Sequence, residues 1–323
     1  SSVFSARRIH LGMDETWGLG TGRYLRLHGY ERAFDIYNRH LSRVVGLCRE
    51  RQLQPMIWSD MYFRLGSVDD NYYDPASVVP EDVKNAIPGE VDLAYWDYYH
   101  TTPEFYENFI ARHRALGKNP VMASGIWTWS RLWYDHRQTV QTAGPCMTGC
   151  RQAKVRELIF TMWGDDGNYC EFDSAFAGLA WCADFACRPE TTAESERASR
   201  LEAIMAAVCG ASFRRQLVPS TLSEIRCDAT GRERYRIHGG ALLWDDPLMA
   251  IAQREIEFYG DHEIPDYIAR LKTMRDTLAP WRGDEAAGHL AHAWNLADAL
   301  IRKLEFRARL HGAYRNRDTM MLA

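Results

Sequence analysis

The sequence has no apolar run long enough to span a bilayer and no leader-like stretch at its start. The first lack gives no support to a membrane partner; the second leans toward a cytoplasmic protein without deciding export. Charge of one sign is not concentrated anywhere: 39 Lys and Arg face 43 Asp and Glu, for a formal net charge of −4. That argues against nucleic acid or an anionic membrane as the main partner. There is no cysteine framework. Eight cysteines are scattered over 323 residues, a length that does not need disulfide staples. Cys146 and Cys150 lack a second pair at zinc-finger spacing, so buried free thiols are expected. No internal repeat or low-complexity linker is visible.

Aromatic residues are plentiful: 11 Trp, 16 Tyr and 12 Phe. Most belong in a core, but flat apolar rings also stack on the C–H faces of sugars, which tilts the reading toward carbohydrate. Short apolar runs at 8–12, 54–58, 91–95, 120–124 and 158–162 read as buried parallel strands. Helical stretches follow most of them. Phe34, Tyr37, Leu41, Val44 and Cys48 step by three and four along one face. Pro103 and Gly117 bracket another helix, with Tyr106, Phe109, Ile110 and His113 on its buried side. A third covers Phe176 to Ala186.

Strands and helices alternating at intervals of roughly 30–45 residues imply a parallel α/β fold. The strand ends are polar or aromatic: Asp14-Glu15, Trp58-Ser59-Asp60, Tyr95-Trp96-Asp97, Trp127, and Trp163-Gly164-Asp165. A (β/α)8 barrel gathers its chemistry on such a rim, whereas a doubly wound sheet concentrates it at one switch point. The expectation is therefore the C-terminal part of a TIM barrel over residues 1–190, with about five βα units of the eight a barrel needs. The carboxylate pair comes so early that the first strands are expected to lie outside this sequence, supplied by another segment or chain. After residue 190 strand signals fade. Helical stretches at 193–208, 247–259, 265–278 and 285–314 predict an α-helical domain over 191–323, packed on the barrel or forming a homodimer interface.

The run His10-Leu11-Gly12-Met13-Asp14-Glu15 carries the chemistry. Two adjacent carboxylates repel when both are ionised, which favours one of such a pair keeping its proton, and a protonated carboxyl can act as a general acid. On its own the dipeptide is more often an ordinary solvated pair at a helix start. Neighbouring acids are poorly placed to flank a scissile bond as acid and nucleophile. They suit a different division, in which one is the acid/base and the other orients a group on the substrate. A 2-acetamido sugar fits that division, because its own carbonyl oxygen is the nucleophile.

The segment His10-x-Gly12-x-Asp14-Glu15 resembles the acid/base motif of glycoside hydrolase family 20, the β-N-acetylhexosaminidases. Three later segments resemble that family in the same order. Trp58 is similar to a tryptophan walling the acetamido pocket. Tyr95-x-Asp97 is similar to a Tyr-x-Asp element whose tyrosine holds the acetamido oxygen and whose aspartate binds sugar hydroxyls. Trp163-Gly164-Asp165 is similar to a Trp-Gly-Glu element that closes the pocket and binds outer hydroxyls, with an acid one methylene shorter. Residues 241–248 also look like the subgroup that carries a C-terminal helical domain. Trp127 stands in for a further pocket tryptophan, with a rim or core role as its equal alternative.

The resemblance implies a retaining exo-enzyme that removes terminal β-linked GlcNAc or GalNAc from a glycan or glycoconjugate through an oxazolinium intermediate. Glu15 is then the acid/base, Asp14 holds the acetamido nitrogen, and Tyr95 aligns the carbonyl. Trp58, Asp97, Trp127, Trp163 and Asp165 bind substrate, and neither metal nor cofactor is required. Two other readings stand beside it. One is a metal-dependent barrel hydrolase using His10, Asp14 and Glu15; the other is an inactive fragment or degenerate homologue that only binds sugar.

Overall fold

Five strands form one all-parallel sheet in the order β1-β2-β3-β4-β5: β1 Arg8–His10, β2 Gln54–Trp58, β3 Asp92–Trp96, β4 Val121–Gly125 and β5 Leu158–Thr161. Each lies on one of the apolar runs read from the sequence. The structure is a computed structural model and is described for residues 5–165, 167–188, 193–225, 239–260, 262–283 and 289–322. The chain divides into two compact units, the first formed by residues 1–125 and 142–161, the second by 126–141 and 162–323.

The sheet lies in the first unit. Its strands follow one another without a reversal, so it has no switch point of the doubly wound kind. It is also strongly curved. Arg8 on β1 bonds Asp92 on β3 at 2.8 Å and reaches Glu157, the residue before β5. In a flat sheet β1 and β5 would lie about 19 Å apart, four spacings of about 4.8 Å, beyond the joint reach of an arginine and a glutamate. The result is a half-barrel. Because side chains alternate along a strand, the register places His10, Met56, Trp58, Ala94, Trp96 and Ala123 on the same face as Arg8 and Asp92.

Helices connect the successive strands. In the first unit these are α1 Gly22–His28, α2 Ala33–Glu50, α3 Asp60–Arg64, α4 Glu81–Asn85 and α5 Pro103–Ala115; α6 His136–Gln152 starts in the second unit and ends in the first. Helix α2 buries Phe34, Tyr37, Leu41 and Cys48 as the spacing predicts, but Val45 takes the place expected of Val44, continuing the step of four from Leu41. Helix α5 starts on Pro103, buries Tyr106, Phe109, Ile110 and His113, and is followed by Gly117 at φ +77°, the left-handed turn a glycine accepts.

The second unit is helical among its described residues. It contains α7 Phe176–Cys187, α8 Glu194–Cys209, α9 Phe213–Leu217, α10 Gly239–Trp244, α11 Ile251–Tyr259, α12 Glu263–Leu278, α13 Leu290–Asn316 and α14 Thr319–Leu322. Helices α12 and α13 bury Tyr267, Leu271, Met274, Leu278, Ala297, Leu300, Ile301 and Leu304, the periodic apolar face that identifies each as a helix. The helix expected from 285 begins at Leu290, and positions 285–288 lie outside the described residues. Cys48, Cys146, Cys150, Cys170 and Cys182 are buried free thiols, whereas Cys187 and Cys209 are free and exposed. Cys227 lies outside the described residues.

Candidate functional site

The loop after β1 builds the site. Leu11 N–H donates to the Met56 carbonyl at 2.8 Å and Trp58 N–H donates to the Gly12 carbonyl at 3.0 Å, so the β1–β2 ladder runs on to Gly12. The chain then turns sharply. Gly12, Met13 and Glu15 have φ of +71°, +72° and +47°, and for the two non-glycine residues this is the left-handed region that a side chain disfavours. Such strain persists only where the surroundings fix it. Two contacts do so: the Tyr37 hydroxyl of α2 donates to the Met13 carbonyl at 2.9 Å, and Glu15 N–H donates to Asp60 Oδ2 at 3.0 Å. Asp14 is half-buried and Glu15 exposed, and among the described residues neither carboxylate forms a salt bridge.

Asp60 is a site residue that the spacing of motifs did not single out. It is fully buried at the start of α3, and its second oxygen accepts the Trp96 indole N–H at 3.1 Å. Burial pushes its carboxyl up to about 6, against the pull of the hydrogen bonds from Glu15 and Trp96, and the charge of Asp14 adds to the rise. Trp58 packs on His10 with ring centroids 4.1 Å apart. His10 Nδ1 accepts the Gly12 N–H at 3.0 Å, which puts the proton of the neutral ring on Nε2. That Nε2 is buried and has no hydrogen-bond partner, and burial holds the ring's pKa below the ordinary histidine value. Tyr72 completes the group. Its ring lies 5.5 Å from Trp96, and burial first, then the Glu15 charge, holds its phenol above the ordinary range.

Tyr95 and Asp97 are bonded to each other. Tyr95 faces α5, packed between Tyr73 at 4.8 Å and His113 at 4.9 Å, and its hydroxyl donates to Asp97 Oδ2 at 3.0 Å. Asp97 is also buried. Besides Tyr95 it accepts the backbone N–H groups of Tyr99 and His100, and it pairs with His100 Nδ1 at 2.7 Å. Four donors occupy the acceptor capacity of one carboxylate. The residue beside them, Trp96, presents its ring on the face that carries Trp58. His113 anchors the layer behind. Its Nδ1–H donates to the Phe109 carbonyl at 2.6 Å, so Nε2 accepts from the Ser59 hydroxyl at 2.7 Å, and burial pushes the ring down to about 4.

Trp127, Trp163 and Asp165 belong to the second unit. Trp127 is buried and stacks on Trp129 with centroids 4.1 Å apart, and the Arg131 guanidinium lies 5.4 Å from its ring. The Thr128 hydroxyl donates to the Trp163 carbonyl at 2.7 Å, which ties these two loops together. Trp163 is half-buried and Asp165 is exposed. Among the described residues, one group of His, Asp and Glu side chains brings its ligand atoms within 4.8 Å of one another: Glu171, Asp173 and His289. There the imidazole sits between the two acids, 3.5 Å from Glu171 and 2.9 Å from Asp173. His10, Asp14 and Glu15 are not such a group.

No family model matches the chain, and no curated protein matches it. The functional reading therefore rests on residues and geometry.

Proposed function

We propose that the chain carries the acid/base centre of a retaining β-N-acetylhexosaminidase working by substrate assistance. The observation that carries this reading is the Asp14-Glu15 pair itself. It stands at the C-terminal end of a parallel strand, in a left-handed turn fixed by Tyr37 and Asp60, with no cation of the described residues paired to either acid. Glu15 gives its proton to the glycosidic oxygen and then takes one from water. Asp14 accepts the acetamido N–H and balances the positive charge as the carbonyl oxygen closes on the anomeric carbon. Trp58 and Trp96 offer apolar walls to the acetamido group, and His10 Nε2–H offers a buried donor to an acceptor on the ligand. Holding nucleophile and electrophile in one molecule contributes roughly 7–11 kcal/mol when the geometry is right.

The curved, sequentially ordered sheet supports a (β/α)8 barrel as the full catalytic architecture. Among the described residues β1 and β5 each pair on one side only, and Ile9 and Ile159 on them are 38% and 37% exposed. Edges of this kind call for further strands, from another segment or chain. The bond between Tyr95 and Asp97 favours a second reading, a sugar-binding module without turnover, because neither side chain as placed offers a free group to the acetamido carbonyl.

Hydrolysis of an aryl N-acetyl-β-glucosaminide separates the two. The catalytic reading expects turnover, strong inhibition by a thiazoline mimic of the oxazoline, and no activity on the plain glucoside. Glu15→Gln is expected to slow substrates with poor leaving groups by about 10²–10⁴-fold, the usual worth of a general acid. Binding of the thiazoline without turnover would leave only the sugar-binding module.

A further inference from the structure

The structure assigns Trp17 as a stacking platform for the sugar on the leaving-group side of the scissile bond, an inference that rests on the proposed function. Trp17 is 64% exposed, and a single exposed aromatic is unremarkable by itself. What lies beneath this one is not. The Arg64 guanidinium sits 3.5 Å from the centre of the Trp17 ring, although Arg64 is only 3% exposed. Its Nε donates to the Asp70 carbonyl and its Nη1 to the Thr16 carbonyl, each at 3.3 Å, and the Asp70 carboxylate lies at 3.8 Å. A buried cation, with its donors fixed on backbone carbonyls, thus holds one face of the indole. The Tyr72 ring lies nearly perpendicular to the indole with centroids 5.9 Å apart, and most of the Trp17 surface remains exposed.

The position follows from the chemistry. Glu15 protonates the glycosidic oxygen as the bond from that oxygen to the anomeric carbon breaks. The oxygen departs with the leaving sugar, so that sugar must lie on the Glu15 side. Trp17 is two residues further along. The same scaffold supports both: Tyr72 packs on Trp17 and Trp96, Trp96 donates to Asp60, and Asp60 holds the Glu15 amide. A flat, preset ring beside the acid suits the C–H face of a pyranose.

The test compares Trp17→Ala and Trp17→Phe with the unaltered protein in two measurements. One is kcat/KM for N,N′-diacetylchitobiose, whose leaving group is a sugar; the other is Ki for the thiazoline, which fills only the site of the departing bond's non-reducing sugar. Trp17→Ala is expected to lower kcat/KM for the disaccharide about tenfold, the order of one lost aromatic stacking contact, with the thiazoline Ki unchanged. Trp17→Phe is expected to retain most of the activity. An unchanged disaccharide rate overturns the platform, and a parallel loss of thiazoline binding shows a merely structural ring. An unaltered protein that neither cleaves the disaccharide nor binds the thiazoline overturns the proposed function and the platform with it.

Discussion

Asp60 is a buried acid that holds two other parts of the candidate site in place. Its two oxygens accept the Glu15 amide and the Trp96 indole, so one side chain fixes both the Asp14-Glu15 turn and the Trp96 ring. The fold bears a cost for it. A free aspartate titrates near 3.9, and Asp60 is held up to about 6 by burial. Between those values the folded protein keeps a proton that the unfolded chain has released. Asp60 therefore lowers stability as pH rises from about 4 to about 6, by up to about 3 kcal/mol. Asp60→Asn removes that slope but turns an amide NH₂ toward one of the two N–H donors. The expected outcome is a variant whose stability relative to the unaltered protein improves between pH 4 and pH 7, followed by urea unfolding, while kcat falls by up to about a hundredfold through misplacement of Glu15. Equal pH slopes in the two proteins would show that Asp60 is not the titrating group. The sequence made Asp14, Glu15 and Trp58 legible because they stand at strand ends. It placed Asp60 there too, but no spacing rule shows that its acceptor is reserved for an amide 45 positions earlier.

At the scale of elements, all five strands were readable because each is an apolar run between turn residues. What such a run hides is which side faces where. A strand buried on both faces has no polar alternation to mark the inner one. That is why the sequence did not show that Tyr95 packs against α5, with Trp96 on the face of Trp58. Tyr95→Phe weighs the two roles directly. If the hydroxyl serves Asp97, the variant loses a buried bond to a carboxylate, about 1.5–3 kcal/mol of stability by chemical denaturation, and keeps most of its kcat. A drop in kcat of a hundredfold or more at unchanged stability would restore the catalytic role implied by the resemblance. Helix α6 was not legible at all. It contains Pro145, and Gly149 is there because a Cβ would come within 2.8 Å of the Pro103 carbonyl of α5. Close approach of two helices, a tertiary demand, overrides propensity there.

Over the whole molecule, the parallel α/β class was legible from the alternation of elements, and the curvature was not. It is set by twist and by contacts such as that of Arg8 with Asp92 and Glu157, which join residues 84 and 149 positions apart. The curvature brings β1 and β5 closer together than a flat sheet would. The proposed function makes the substrate's own acetamido oxygen the nucleophile, with Glu15 as acid/base and Asp14 as orienting acceptor. The most direct test replaces the acetyl hydrogens of an aryl N-acetyl-β-glucosaminide by one, two and three fluorines and measures kcat/KM for each. Fluorine drains electron density from the carbonyl oxygen without greatly enlarging the group. Substrate assistance predicts a steep, monotonic fall in kcat/KM along the series. A flat series with sustained turnover would mean that the protein itself provides the nucleophile, and would contradict the account.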